Sequence, residues 1–118
     1  MTELTAVVDG YIAMWNETDP ERRRFIIEQT WTADGSYVDP HAEVAGAEGI
    51  GALVAAVQEQ FPGHRFVLAS GPDAHHDRVR FTWQLVAESG AAVATGLDVA
   101  VVADDGRLRA VTGFLEAA

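Results

Sequence analysis

Three polar side chains stand where chemistry would be costly to hide. Asp98 interrupts the apolar run Leu97-Asp98-Val99-Ala100-Val101-Val102, and a buried carboxylate there needs a partner or a proton. Desolvation disfavours the charged form, so a buried Asp98 would keep its proton near neutral pH and donate a hydrogen bond, whereas an Asp98 at a sheet edge or pocket mouth would sit in water. Tyr11 falls on the apolar stripe of the first helical segment, where a phenol wants either a backbone carbonyl or a site partner. Asp39 ends the run Ser36-Tyr37-Val38-Asp39 before Pro40, a position that suits a turn-forming aspartate or a carboxylate projecting into a cavity.

Other chemistries find little support. The chain has no cysteine, which removes thiol mechanisms and Cys-based zinc sites. His41, His64, His75 and His76 lack a metal-ligand spacing such as HxxxH, so no metal is expected. Gly46, Gly49 and Gly51 do not complete GxGxxG, and no GxSxG elbow presents a serine nucleophile. Any cavity would be lined from the aromatic set Trp15, Trp31, Tyr37, Phe61, Trp83 and Phe114, with His41 beside Asp39, although such residues more often simply build a core. No cofactor is implied.

These residues are carried by elements that can be read from periodicity. Leu4, Val7, Val8, Tyr11, Ile12 and Trp15 recur at helical spacing, which predicts a helix over roughly 3–16. Asp19-Pro20-Glu21 supplies a cap, a first-turn proline and an acidic residue at the positive helix end, predicting a second helix to about Trp31. Asp34-Gly35 is expected to turn the chain into a short strand ending at Asp39, and a loop follows. Ile50, Leu53, Val54, Val57 and Phe61 mark a third helix, stopped by Pro62-Gly63. The period then changes to two through Phe66 and Leu68, Val79 to Leu85, Leu97 to Val102 and Arg107 to Leu115, which predicts a hairpin-linked meander. Helices first and sheet second make an α+β layer arrangement with the helices on the concave face.

At 118 residues the chain is read as one domain spanning 1–118. Its composition is 48% hydrophobic and 22% charged, which is ordinary for a globular protein. The net charge of −10 repels phosphate backbones and anionic headgroups, so neither nucleic acid nor membrane is an expected partner. Arg22, Arg23 and Arg24 read as a solvated helix face. No signal-peptide pattern and no apolar run of roughly 18 residues is present, so a cytoplasmic location is expected. Apolar residues on both faces of the central strands suggest that a second copy covers the outer face, giving a homodimer.

The order of motifs resembles the nuclear transport factor 2-like superfamily, in particular its SnoaL-like branch of polyketide cyclases and isomerases. The segments carrying the resemblance are Tyr11-Ile12-Ala13-Met14-Trp15 ahead of Asp19-Pro20, Tyr37-Val38-Asp39-Pro40, Gly46-Ala47-Glu48-Gly49-Ile50, and Leu97-Asp98-Val99 ahead of Asp104-Asp105-Gly106-Arg107-Leu108. It implies a strongly curved, mostly antiparallel sheet packed by three helices around a conical pocket, a cystatin-like roll, and a small apolar or carbonyl-containing ligand. Ketosteroid isomerase looks like the closest functional template, while the same cone also serves non-catalytic small-ligand binders and dimerising interaction domains. By that likeness Asp39 would be the general base, and Tyr11 with a protonated Asp98 would donate to the developing enolate oxygen. The chain has only two tyrosines, so a longer relay of phenols has no residues to build it.

Overall fold

The computed structural model describes residues 2–117, with side chains from 5 to 116. The chain runs α1 (Thr2–Asn16), α2 (Pro20–Thr30), β1 (Trp31–Asp39), β2 (Ala42–Ala45), α3 (Gly46–Gln60), β3 (Arg65–His75), β4 (Arg78–Val86), β5 (Ala92–Val102) and β6 (Leu108–Ala117). The six strands form one mixed sheet in the order β2-β1-β6-β5-β4-β3, strongly curled but not closed. Neighbouring strands are antiparallel except β1 and β6, which pair in parallel.

Local chemistry accounts for most of the boundaries. The Asp19 carboxylate accepts the Arg22 amide at 2.9 Å and Pro20 opens α2, the arrangement expected of an N-cap with proline at the first helical position. The expected turn at Asp34-Gly35 is instead a bulge within β1: the register with β6 slips between Trp31 and Ser36. A Cβ on Gly35 would lie 2.7 Å from Trp31 Cε3 and 3.3 Å from the Leu108 carbonyl oxygen, so glycine lets the strand stay close to β6 while the indole lies across it. β1 therefore begins directly after α2. The loop expected after Asp39 contains a further short strand, β2, whose pairing with β1 depends on the turn at Pro40-His41 rather than on any periodicity of its own.

All three helices pack on the concave face. Val8, Tyr11, Met14 and Trp15 of α1, Ile27 of α2, and Ile50 and Val54 of α3 meet Val79, Phe81, Trp83, Leu85, Ala100, Val102, Leu108 and Val111 from the sheet. Each fully buried aliphatic side chain contributes about 1.5–3 kcal/mol, enough in sum to tolerate a few buried polar groups. Among them is Arg23, which departs from the expected solvated face. It is buried, with Nε donating to the Glu17 carbonyl at 3.0 Å and Nη2 donating to Gln58 Oε1 at 3.0 Å, while Arg22 and Arg24 stay exposed. No helix among the described residues is long and apolar enough to cross a membrane.

Candidate active site

Alternation along the strands decides which side chains share the concave face. Asp98 on β5 pairs with Phe81 on β4 and Gly113 on β6, so all three point inward. Tyr37 pairs with Val111, and Asp39 lies two residues further along the same face of β1. Tyr11 reaches the group from α1, one helical turn before Trp15. The result is a cluster of two phenols and two carboxyls around a glycine.

Two hydrogen-bonded pairs make up this cluster. Tyr11 Oη donates to Asp98 Oδ2 at 2.7 Å, and Tyr37 Oη donates to Asp39 Oδ2 at 2.6 Å. Asp39 also holds the turn into β2, its Oδ1 accepting the amides of His41 at 2.8 Å and Ala42 at 2.9 Å. It therefore serves both as the turn-forming aspartate and as a carboxylate facing the cluster. Gly113 is the meeting point: a Cβ there would lie 2.8 Å from Asp98 Oδ1 and 3.4 Å from both Asp39 Cβ and Tyr37 Oη.

Asp98 is 1% exposed, and its Oδ1 has no hydrogen-bond partner among the described residues. The balance of terms is unfavourable for a charge. Removing a carboxylate from water costs several kcal/mol, whereas a hydrogen bond to a charged group returns about 1.5–3 kcal/mol. Burial accordingly pushes the Asp98 carboxyl above the usual carboxylate range. Tyr11 and the Trp83 indole oppose the rise, and the charge of Asp39 adds to it. The Tyr11 and Tyr37 phenols are both pushed up, chiefly by burial and then by their acidic neighbours, so they remain donors throughout the ordinary pH range.

The chain thus presents a polar quartet inside an aromatic shell, on a curled sheet wrapped by three helices. A solved structure covering nearly all of it decides the family: a provisionally assigned isomerase of the SnoaL-like family from Agrobacterium tumefaciens str. C58 is 43% identical, with a TM-score of 0.93 over 99% of this chain and 100% of that one. The chain belongs to the SnoaL-like family. The same fold, at lower identity, occurs in a SnoaL-like protein of unknown function from Burkholderia thailandensis (16% identity, TM-score 0.75, 99% and 98% of the two chains). It occurs again in a provisionally assigned SnoaL-like polyketide cyclase from Jannaschia sp. CCS1 (20% identity, TM-score 0.73, 98% and 89% covered). No family model matches the chain, and no curated protein matches its sequence.

Within this SnoaL-like chain the aromatic residues divide into separate groups. Trp15 is the hinge of the arrangement, its ring 6.4 Å from Tyr11, 5.8 Å from Tyr37 and 5.2 Å from Phe66. Beyond Trp15 lies a cavity of about 270 Å³ lined by Trp15, Val57, Phe61, Phe66 and Leu85, with Asn16, Thr18, Gln58 and His64 as its polar members. Trp83 packs on Phe66 at 5.2 Å, and the absent side chain of Gly96 makes room for its ring. Trp31 sits deeper, its Nε1 donating to Met14 Sδ at 3.2 Å. The remaining two candidates stand apart from the quartet. His41 turns its ring to solvent and contributes only its backbone amide. Phe114 follows the inward-facing Gly113, so strand alternation sends it to the outer face, where it pairs with Leu97 and is 57% exposed.

Two features of the cluster are absent from the sequence reading. The phenol of Tyr37 holds the Asp39 carboxylate rather than merely lining a pocket, and spacing of two along a strand is the signal that would have placed them together. Gly113 is the other: a glycine inside a regular strand marks a close approach. Among the described residues no group of three His, Asp or Glu side chains is arranged to hold a metal.

Proposed function

We propose that this protein is a cofactor-independent isomerase or cyclase acting on a small, apolar carbonyl compound. The observation that carries the reading is Asp98 Oδ1, a buried oxygen with an unfilled hydrogen-bond position beside the Asp39–Tyr37 pair. A protonated Asp98 has one hydrogen to donate, and Oδ1 is the free oxygen to carry it.

In this mechanism Asp39 takes the proton from the carbon next to the substrate carbonyl, and the C–H electron pair moves to the carbonyl oxygen to form an enolate. Protonated Asp98 donates to that oxygen from Oδ1 as its charge develops, and Tyr11, whose single hydrogen lies on Asp98 Oδ2 in the resting structure, turns it to the same oxygen when substrate is in place. Returning the proton from Asp39 to a different carbon completes an isomerisation. Attack of the enolate carbon on a second carbonyl of the same molecule closes a ring and leaves an alkoxide, and passing the proton from Asp39 to that oxygen completes a cyclisation and restores the base. Tyr37 holds the base in place. The protein works in the cytoplasm as a homodimer joined through the outer face of the sheet.

The test is solvent exchange into unsaturated ketones and polyketide-like diketones in D2O, followed by mass spectrometry. Asp39→Asn is expected to abolish exchange, a loss of roughly 10²-fold or more, while ligand binding persists. Unchanged exchange in that variant removes the mechanism. One observation favours a second reading, a binding protein without turnover: the cavity reaches Trp15 but not Tyr11 or Asp98, which are 2% and 1% exposed.

A further inference from the structure

Neighbouring side chains on an extended strand point to opposite faces, so His75 and His76 would ordinarily stay apart. In the folded chain they meet. The β3–β4 hairpin pairs His75 with Arg78, which leaves His76 and Asp77 as a two-residue loop, and His76 takes φ 53°. Glycine, asparagine and aspartate usually supply that left-handed conformation at a hairpin tip, and a residue with a ring is uncommon there. The turn carries the His76 ring back beside its neighbour. The two Nδ1 atoms lie 3.0 Å apart, and the ring planes cross at 88°.

That separation has a chemical meaning. Two imidazole nitrogens bound to one ion at about 2.0–2.1 Å lie about 2.8–3.0 Å apart when they subtend a right angle, and about 3.3 Å apart at a tetrahedral angle. The observed 3.0 Å matches the right angle of the tetragonal sites that copper(II) and nickel(II) prefer, and not the tetrahedral angle of zinc. As they stand, one Nδ1 donates its hydrogen to the other. Both side chains are exposed, so whichever ring carries that hydrogen can pass it through water to its own Nε2, which opens both Nδ1 lone pairs to an ion.

The surroundings accept a cation. The two arginines at this end of β4 are each held by a carboxylate, Arg78 by Asp77 and Arg80 by Asp73 at 3.2 Å, and the chain as a whole carries −10. The loop is also anchored. The Asp77 carbonyl accepts the Val102 amide at 2.8 Å, so the turn that gathers the rings is tied to the end of β5 before any ion arrives.

We propose that His75 and His76 form a two-imidazole chelate for a copper(II) ion, with water in the remaining positions and nickel(II) held in the same way but more weakly. The site lies at the opposite end of the hairpin from Phe66 and Leu85, which line the cavity, and it is independent of the isomerase or cyclase reading. An ion bound there clips the hairpin and stabilises the folded chain by mass action.

The experiment is isothermal titration of copper(II), nickel(II) and zinc(II) chlorides into the full chain, without an affinity tag and in a buffer that does not coordinate metal, with NMR showing which imidazole resonances copper broadens. One equivalent of copper is expected, bound most tightly of the three, with broadening centred on His75 and His76 and a raised thermal midpoint. His75→Thr and His76→Gly should each weaken copper binding by about tenfold or more, since even the outer partners of a metal ligand are typically worth about 10–100-fold. His76→Gly keeps the left-handed turn, so its circular dichroism spectrum should match the wild type and the loss reports the imidazole alone. His41→Ala and His64→Ala should leave the affinity unchanged. Copper affinity unchanged in either His75→Thr or His76→Gly, broadening centred on His41 or His64, zinc bound as tightly as copper, or no copper binding overturns the proposal.

Discussion

Tyr11 Oη donates to Asp98 Oδ2 at 2.7 Å, joining the first helix to a strand 87 residues further along the chain. The bond does two things at once: it satisfies a buried phenol, and it gives a buried carboxyl a side-chain partner. Tyr11→Phe leaves both oxygens of Asp98 unpartnered, and the expected loss is about 1–3 kcal/mol of stability by urea denaturation. Because the Tyr11 bond opposes the rise of the Asp98 pKa, the same variant should also move that pKa further up, as followed by carboxyl carbon chemical shift.

Asp98 should make stability depend on pH in a definite direction. Its folded pKa is raised by burial, so between the unfolded value of about 3.9 and the folded value the native state binds more protons than the unfolded state. Stability from this group is present below the unfolded pKa and falls as pH rises through that window. Asp98→Asn, which does not titrate, should remove that component. The difference between wild-type and variant stability, measured by denaturation from about pH 4 upward, should slope across the window and flatten above it. A difference that does not vary with pH would contradict the assignment.

Gly113 should tolerate no side chain. The alanine Cβ would sit 2.8 Å from Asp98 Oδ1, inside the contact distance of real side chains, and neither the strand nor the two carboxyls can retreat without disturbing a pair. Gly113→Ala is expected to cost about 1–3 kcal/mol and to separate the Tyr11–Asp98 pair from the Tyr37–Asp39 pair. Thermal denaturation measures the first effect, and a changed Tyr37 ring environment by NMR measures the second.

The outer face of the sheet tests the homodimer. Phe114, Leu97 and Thr82 lie in register across β6, β5 and β4, and Val38, Thr112 and Val99 form the next row across β1, β6 and β5. Phe114 is 57% exposed and Val38 38%, an apolar patch of the kind that a second copy covers. Sedimentation should show a dimer at micromolar concentration, converted to monomer by Phe114→Asp with the fold intact. A wild-type monomer at high micromolar concentration would exclude this interface.

Much of the fold was legible because its signals are local. The stripe through Leu4, Val8, Tyr11 and Trp15, the cap at Asp19-Pro20 and the alternation from Val79 to Leu85 each arise from neighbours a few residues apart, so periodicity and capping chemistry reveal them without knowledge of the rest. That Asp98 interrupts an apolar run was legible in the same way, but whether it is buried or sits in water at a sheet edge was decided only by the fold. What could not be read was register. Whether Phe114 or Gly113 faces inward is a matter of one residue along β6, set by pairing with β5 and β1, and that choice sends the phenyl ring outward and opens the space in which Asp98, Asp39 and Tyr37 meet. The bulge at Gly35, the strand at Ala42–Ala45 and the burial of Arg23 were likewise decided at a distance, by Leu108, by the Asp39 turn and by Gln58. Those partners lie far apart in sequence or act through backbone geometry, and only the folded chain brings their energies together.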